Sequence, residues 1–326
     1  IAEYQATVTI ANVAPLATIA GPSDGVRGQV RSYTLRATDP SPGDSAAGFT
    51  YTVTWSDGTS TQSFAASPNN GAGISIDHVF TEVGTYTVSV TATDRNGTVS
   101  AIATRSLTIA VAEIQTDWLD PTKLVLVVGG STGDDDIKLK PGDNPGDIKV
   151  KIRDEDRFNY KANFDPPIHR IVVYGQAGDD DITGGSHVTI PTWLYGQDGD
   201  DRLRGGGGPS VLLGGAGEDV LAGAAGRDVL IGGTGSDKIS GNADDDLLIA
   251  GSTSYDAVDT ALTAILAEWN STRSYADRVK NLRGDAASTT FAARANGNFF
   301  LAVDGSHGRA VTVFDDGVKD VLAGDS

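Results

Sequence analysis

Residues 214–239 have the sequence GGAGEDVLAGAAGRDVLIGGTGSDKI, in which one nine-residue pattern recurs. Each copy has glycine among its first four positions, an acidic or hydroxyl residue at position six and a leucine or isoleucine at position eight. Because the apolar position keeps its phase over six copies, the segment is predicted to be a structural repeat and not a flexible glycine-rich linker. The copies begin at Gly196, Gly205, Gly214, Gly223, Gly232 and Gly241; position six holds Asp201, Ser210, Asp219, Asp228, Asp237 and Asp246; position eight holds Leu203, Leu212, Leu221, Leu230, Ile239 and Leu248.

The nine-residue pattern predicts a solenoid of short parallel strands. Six residues suit a tight turn whose glycines adopt backbone angles that other residues avoid, and three residues suit a strand whose middle side chain points inward. Two turns and two strands complete one coil, so copies two apart stack on the same side. Stacking brings the position-six carboxylates together, and Ca²⁺ takes about six to eight oxygen ligands from carboxylates and backbone carbonyls. We therefore expect a β-roll that is held together by metal.

The pattern G-G-x-G-x-D-x-U-x, in which U is apolar, resembles the calcium-binding nonapeptide repeat of RTX proteins. The resemblance is close over 196–250 and looser from about 124, where imperfect copies place Asp135 before Ile137 and Asp180 before Ile182. It implies several bound Ca²⁺ ions. The candidate metal ligands are Asp135, Asp180, Asp198, Asp201, Asp219, Asp228, Asp237, Asp246, Gly196, Gly199, Gly214, Gly217, Gly232 and Gly235.

The first third of the chain has a different character. In YTVTWSDG, residues 51–58, and TYTVSVTATDRNG, residues 85–97, apolar residues alternate with threonine and serine, which predicts half-buried antiparallel strands of a β-sandwich. WSDG at 55–58 and HVFTEVGTYTVSVTATDRNG at 78–97 resemble a PKD domain, an Ig-like sandwich of extracellular proteins. The acids near one end of this sandwich are either calcium ligands or turn-forming residues that cap strands. They are Asp39, Asp44, Asp57 and Asp94.

These patterns predict an all-β chain: an Ig-like β-sandwich, then a parallel β-roll or β-helix solenoid with a small helical C-terminal cap. Residues 254–284 are helical in pattern, with Ser254 or Asp256 as N-cap, a break at 270–272 and a stop at Gly284; we expect them to cover the open end of the roll. Asp315, Asp316 and Asp320 are candidates for an additional metal site. The expected domains are 1–15, the end of a preceding repeat and a linker; 16–111, the sandwich; 112–123, a linker; 124–251, the solenoid; and 252–326, the cap with terminal strands.

Composition excludes several classes of partner and of catalysis. The 326-residue chain has a formal net charge of −18 and no cysteine, which argues against nucleic acid or an anionic membrane as partner and against disulfides or thiol catalysis. The histidines and carboxylates form no motif of catalytic residues, so we expect no enzymatic activity. Ile1 is not an initiator methionine, so we interpret the sequence as a piece of a longer polypeptide.

Two functions remain open. One is a calcium-stabilised structural or adhesion module on a bacterial surface or secreted protein, such as a filament or surface-layer subunit. The other is a non-catalytic accessory region of a secreted enzyme. Other surface proteins, carbohydrate or copies of the chain itself are the expected partners, without membrane insertion.

Overall fold

The structure is a computed structural model that describes residues 11–154, 159–165 and 167–324. The expected end of a preceding repeat falls mostly on residues 1–10, which lie outside the described residues. The chain forms two compact units, one built around residues 29–110 and the other around residues 111–326.

The first unit is a β-sandwich with one short helix. A three-stranded sheet has the order β1-β3-β6, and a five-stranded sheet has the order β2-β8-β7-β4-β5. The alternation predicted from the sequence is confirmed, because Tyr51, Val53 and Trp55 of one strand are buried against Ala92, Val90 and Val88 of its neighbour. The elements are β1 Leu16–Ala20, β2 Asp24–Val26, β3 Val30–Thr38, α1 Pro42–Ala47, β4 Thr50–Trp55, β5 Gln62–Phe64, β6 Ile74–Val79, β7 Gly84–Thr93 and β8 Ala103–Ala110.

The second unit is the predicted solenoid. A seven-stranded sheet, β22-β20-β18-β16-β14-β10-β9, and an eight-stranded sheet, β13-β12-β11-β15-β17-β19-β21-β25, alternate along the coils. The elements are β9 Ala112–Thr116, β10 Leu124–Gly129, β11 Asp135–Pro141, β12 Ile148–Asp154, β13 Asn159–Phe164, β14 Arg170–Ala177, β15 Asp181–Gly184, β16 Thr192–Asp198, β17 Arg202–Arg204, β18 Ser210–Ala216, β19 Val220–Ala224, β20 Val229–Thr234, β21 Lys238–Asn242, β22 Leu247–Ile249, β23 Ser252–Thr253, α2 Asp259–Trp269, α3 Tyr275–Arg283, β24 Val313–Phe314 and β25 Val321–Ala323.

The position-eight residues fill the interior of the solenoid, as predicted. Strands two copies apart pair in parallel register, so that Leu203, Leu221 and Ile239 stack along the eight-stranded sheet. Leu194, Leu212 and Leu230 stack opposite them along the seven-stranded sheet. Five of these are position-eight residues; together with Leu194 of the preceding coil they belong to one buried cluster, against which the sixth position-eight residue, Leu248, packs partly buried.

The helices α2 and α3 pack against the outer face of the seven-stranded sheet. Leu262, Ile265 and Trp269 of α2 and Leu282 of α3 pack on the outward side chains of the seven-stranded sheet, such as Val211. The prediction that the helices cover the open end of the roll is therefore wrong, because they cover the outer face of one sheet. The predicted stop at Gly284 is confirmed by its left-handed backbone, whereas the N-cap is Val258 and not Ser254 or Asp256.

Residues 112–123 are not simply a linker. β9 pairs antiparallel with β10, so that Ile114 lies opposite Leu126, and it forms the first edge of the seven-stranded sheet. This part of the prediction is wrong because the glycine-poor segment between the two compositions supplies the strand that ends the sheet.

The helical layer generates a stability prediction. Replacing the buried Leu262 by alanine removes apolar contacts with the sheet and is expected to cost the solenoid about 2–5 kcal/mol of unfolding free energy. Val258→Ala, at a position 38% exposed, is the control, with an expected change below about 0.5 kcal/mol. Denaturant unfolding in calcium, followed by tryptophan fluorescence, measures both. Equal effects of the two substitutions contradict the packing described above.

Candidate metal centre

Six aspartates form a row along one side of the solenoid. This first turn row lies where the chain passes from the seven-stranded to the eight-stranded sheet. In each of the five adjacent pairs, Oδ1 of one aspartate accepts the backbone N–H of the aspartate one coil earlier, at 2.8–2.9 Å. The row consists of Asp135, Asp180, Asp201, Asp219, Asp237 and Asp320.

One oxygen of most of these carboxylates has no protein donor. Oδ2 of Asp180, Asp201, Asp219 and Asp237, and Oδ1 of Asp135, are buried without a hydrogen-bond partner. A buried acceptor that is left unpaired carries a desolvation cost, and a carboxylate carries more than a neutral group. The fold therefore presents a line of desolvated oxygens that a cation would satisfy.

The glycine that opens each copy makes room at these oxygens. A Cβ on Gly196 would overlap both Oδ2 of Asp201 and the carbonyl oxygen of Gly214 in the next coil. Gly214 stands in the same relation to Asp219 and to the carbonyl of Gly232. Carboxylate and carbonyl oxygens thus converge at Gly196, Gly214, Gly223 and Gly232, and an all-oxygen set is what Ca²⁺ prefers. The residues present fit that ion.

The fourth-position glycines are required for a different reason, which is the backbone conformation of the turn. Gly199, Gly217 and Gly235 have φ of +135°, +136° and +122°. A side chain at such an angle is strained, so glycine is needed for the turn itself. The predicted glycines thus fall into two classes with different physical reasons.

The second turn row, on the opposite side, is poorer in carboxylates. The backbone N–H of Ser210 donates to Oδ1 of Asp228 at 2.6 Å, and that of Asp228 to Oδ1 of Asp246 at 2.8 Å. Thr192 lies in register with Ser210 one coil earlier. Two coils therefore carry hydroxyls where the first row carries carboxylates, while Oδ2 of Asp228 is buried without a hydrogen-bond partner.

Two predicted sites differ from the expectation. Asp198 is exposed and lies outside both rows, and its backbone carbonyl accepts the N–H of Gly178. Of the acids near the C-terminus, Asp320 completes the first row and Asp316 accepts the N–H of Gly235 at 2.7 Å. Asp315 instead caps its own turn at Gly317.

A further set of acids, at position five, was not among the predicted ligands. Oδ1 of Asp134, Asp179 and Asp200 each accept the backbone N–H of the position-five residue in the next coil, at 2.7–2.9 Å. The consecutive aspartates in GDDDI and GDDRL were the available signal. These outer carboxylates tie neighbouring turns together and add negative charge beside the first row.

Burial and mutual repulsion disfavour the ionised carboxylates. Burial, with the neighbouring acids adding to it, raises the pKa of Asp201 and of Asp219 to about 7, and that of Asp180 and Asp228 to about 8. At a strand spacing of about 4.8 Å and an effective dielectric constant of about 20, each ionised pair repels by roughly 3 kcal/mol. Several such pairs rival the whole stability of a domain, which is about 5–15 kcal/mol. A cation or protons must neutralise the row.

The acids of the sandwich are only partly brought together. Oxygens of Asp39, Asp44 and Asp94 lie within 4.8 Å of one another, and the Arg95 guanidinium pairs with Asp44 at 2.6 Å. Asp57 does not join them, because it pairs with Nε2 of His78 at 2.6 Å. Asp94 accepts the N–H groups of Asn96 and Thr98, which is the turn-capping role that the sequence left open.

Comparison with known proteins identifies both units. The repeat region defines a calcium-binding class of solenoid: the family described as "RTX calcium-binding nonapeptide repeat (4 copies)" matches residues 172–186, 195–230 and 223–253. The family described as "PKD domain" matches residues 12–111. The chain therefore carries a PKD domain followed by RTX repeats, as the sequence predicted, and the ion of these repeats is calcium.

Among solved structures, the chain is similar to the PKD domain of an M14-like peptidase from a Thermoplasmatales archaeon, with 29% identity, a TM-score of 0.26, and coverage of 30% of this chain and 98% of that one. It is also similar to a CARDB domain from Pyrococcus furiosus, described in complex with di-metal ions, with 16% identity, a TM-score of 0.25, and coverage of 31% and 97%. No curated protein matches the chain. None of the described helices is long and apolar enough to span a membrane.

The raised pKa values predict how pH acts on the metal-free chain. Asp180, Asp201, Asp219 and Asp228 hold protons in the folded state that the unfolded chain releases near its ordinary pKa of 3.8. Their contribution to stability is therefore present below about pH 4 and is lost as the pH rises through about 7 to 8. In chelator, the unfolding temperature of the solenoid should be higher at pH 5 than at pH 8, as scanning calorimetry measures. The opposite slope contradicts the assignment.

Proposed function

We propose that the chain is a calcium-stabilised extracellular module of a bacterial surface or secreted protein, with a structural or adhesive role. The carboxylates of the first turn row, together with Asp228 and Asp246 and the carbonyls of the first-position glycines, hold the ions. The observation that carries this proposal is the line of buried, unpartnered carboxylate oxygens that recurs from coil to coil. PKD and RTX domains are typical of extracellular proteins, which supports this location.

Calcium supplies the cross-links that this chain lacks. It has no cysteine, so disulfides do not hold its coils together. Extracellular calcium modules bind with dissociation constants of about 10⁻⁴ to 10⁻³ M, which suits the calcium levels outside cells. The module is then folded outside the cell and destabilised where calcium is scarce. Calcium then has a structural role in this chain.

The unequal turn rows predict unequal sites. Between the turns of Ser210 and Asp228 one carboxylate is missing, and Pro209 lacks a backbone donor, so we expect weak or absent calcium there. Full sites are expected between Asp201 and Asp219, Asp219 and Asp237, and Asp228 and Asp246. Ser210→Asp should add one calcium ion per chain, and Asp219→Ala should remove one or two. Calcium titration by calorimetry counts the ions, and a full ion at Ser210 in the natural sequence contradicts the prediction.

Removing calcium should unfold the solenoid and leave the sandwich folded. Each ion stabilises the solenoid by about 2.7 kcal/mol when calcium is a hundredfold above its dissociation constant, so the loss of several ions removes a stabilisation comparable with that of a whole domain, about 5–15 kcal/mol. We expect chelation to unfold 196–250, and the region from about 124 with it, and to leave the sandwich folded. Limited proteolysis with chelator should cut the Gly-Asp repeats and spare a fragment that ends near residue 112. If the repeats remain resistant to protease in chelator, calcium is not what stabilises them.

A further inference from the structure

One face of the solenoid is basic although the chain as a whole is acidic. Five of the nine lysines of the chain lie on three adjacent strands at the start of the eight-stranded sheet. Their side chains alternate with the buried residues of these strands, such as Leu139 and Val150, so they all point outward. We call this set the lysine face; it consists of Lys138 and Lys140 on β11, Lys149 and Lys151 on β12, and Lys161 on β13.

The strand register places like charges side by side. Lys138 lies directly opposite Lys151, Lys140 opposite Lys149, and Lys151 opposite Lys161. Lys161, Lys151 and Lys138 thus form a straight row across three strands. Like charges in directly opposed positions destabilise a sheet, so the arrangement works against the fold. The lowered pKa of Lys151, caused first by Lys140, reflects the same repulsion.

The face is only partly neutralised by the protein. Lys138 pairs with Asp136, and Lys149 pairs with Asp143. Within the residues that the structure describes, Lys140, Lys151 and Lys161 form no ion pair. The outward charge continues two strands further at the exposed Arg204, which follows Lys138 and Thr183 in register.

Protection of a sheet edge does not account for this pattern. Lysine on an edge strand prevents pairing with other chains, and Lys161 on β13 can serve that purpose. The other four lysines lie on β11 and β12, which are paired on both sides. Their clustering therefore calls for another cause.

We propose that the lysine face binds a linear acidic polysaccharide. Its lysines are compact point charges arranged in rows, which suits a polymer that carries one carboxylate at regular intervals. A thin chain can lie on the face without approaching the acidic remainder of the molecule, whereas a second copy would bring another net charge of −18. The surface is distinct from the calcium-binding turns, because it lies on the sheet strands.

The test uses the full chain in calcium with soluble hyaluronate, a linear polymer with a carboxylate on alternate sugars, and dextran as the neutral control. The triple variant Lys140→Gln, Lys151→Gln, Lys161→Gln removes the unpaired charges of the face. Lys238→Gln, Lys280→Gln, Lys319→Gln is the matched control, since it lowers the net charge equally at other places. Thermal unfolding of all three proteins verifies that they fold alike.

We expect hyaluronate to bind the natural chain and the control variant equally, and the triple variant at least about tenfold more weakly. Binding should weaken with salt, and dextran should not bind. No binding of hyaluronate, or equal binding by the triple variant, overturns the proposal; the second result points to calcium bridging at the acidic turns. Binding to phosphatidylglycerol vesicles alone, or lysine-dependent dimerisation in sedimentation, identifies a membrane or a second copy as the partner instead.

Discussion

The solenoid depends on stacking buried carboxylates at the spacing of β-strands. Two nine-residue copies complete one coil, so each coil brings one aspartate to the same side, and the six aspartates of the first turn row form five adjacent pairs. The backbone satisfies one oxygen of each group and, in all but Asp320, leaves the other buried without a donor. Such a row is unfavourable for a protein alone and favourable for a protein with calcium, because the ion takes oxygen ligands from two turns at once. The fold and its dependence on metal therefore have one origin.

The two sheets of the solenoid differ in how much apolar surface their outward side chains bury. On one sheet the residues on either side of position eight are polar in two of three copies, as in Arg202-Leu203-Arg204, and are Val220 and Ala222 in the third; on the other sheet they are all apolar, as in Val229-Leu230-Ile231. The polar set lies on the eight-stranded sheet, whose outer face meets solvent. The apolar set lies on the seven-stranded sheet, where α2 and α3 bury it. This unit therefore buries more apolar surface than one inward residue per copy provides.

This alternation also shows what the sequence could and could not reveal. The nine-residue period fixed the coil, the register and the aspartate row, because each depends on local spacing. The apolar triplets are visible in the sequence. That their outward residues are buried could be predicted only with the knowledge that α2 and α3, later in the chain, pack on the outer face of the seven-stranded sheet. The linker was misjudged for the same reason: β9 has no glycine signature and gains its strand structure from pairing with β10. Asp320 was missed as a member of the row because its copy lacks the usual glycine spacing.

The metal requirement is unequal on the two sides of the solenoid. The first turn row has a carboxylate in every coil, whereas the second has hydroxyls at Thr192 and Ser210. A hydroxyl can both donate and accept a hydrogen bond and carries no charge, so these coils need no cation to avoid repulsion. Ser210 Oγ donates to the carbonyl of Gly208 at 3.1 Å, and Thr192 Oγ1 donates to that of Ile190 at 2.9 Å. Each hydroxyl thus forms a hydrogen bond within its own turn. The two coils that lack a carboxylate in the second turn row are therefore the ones whose turns are held by the protein and not by calcium.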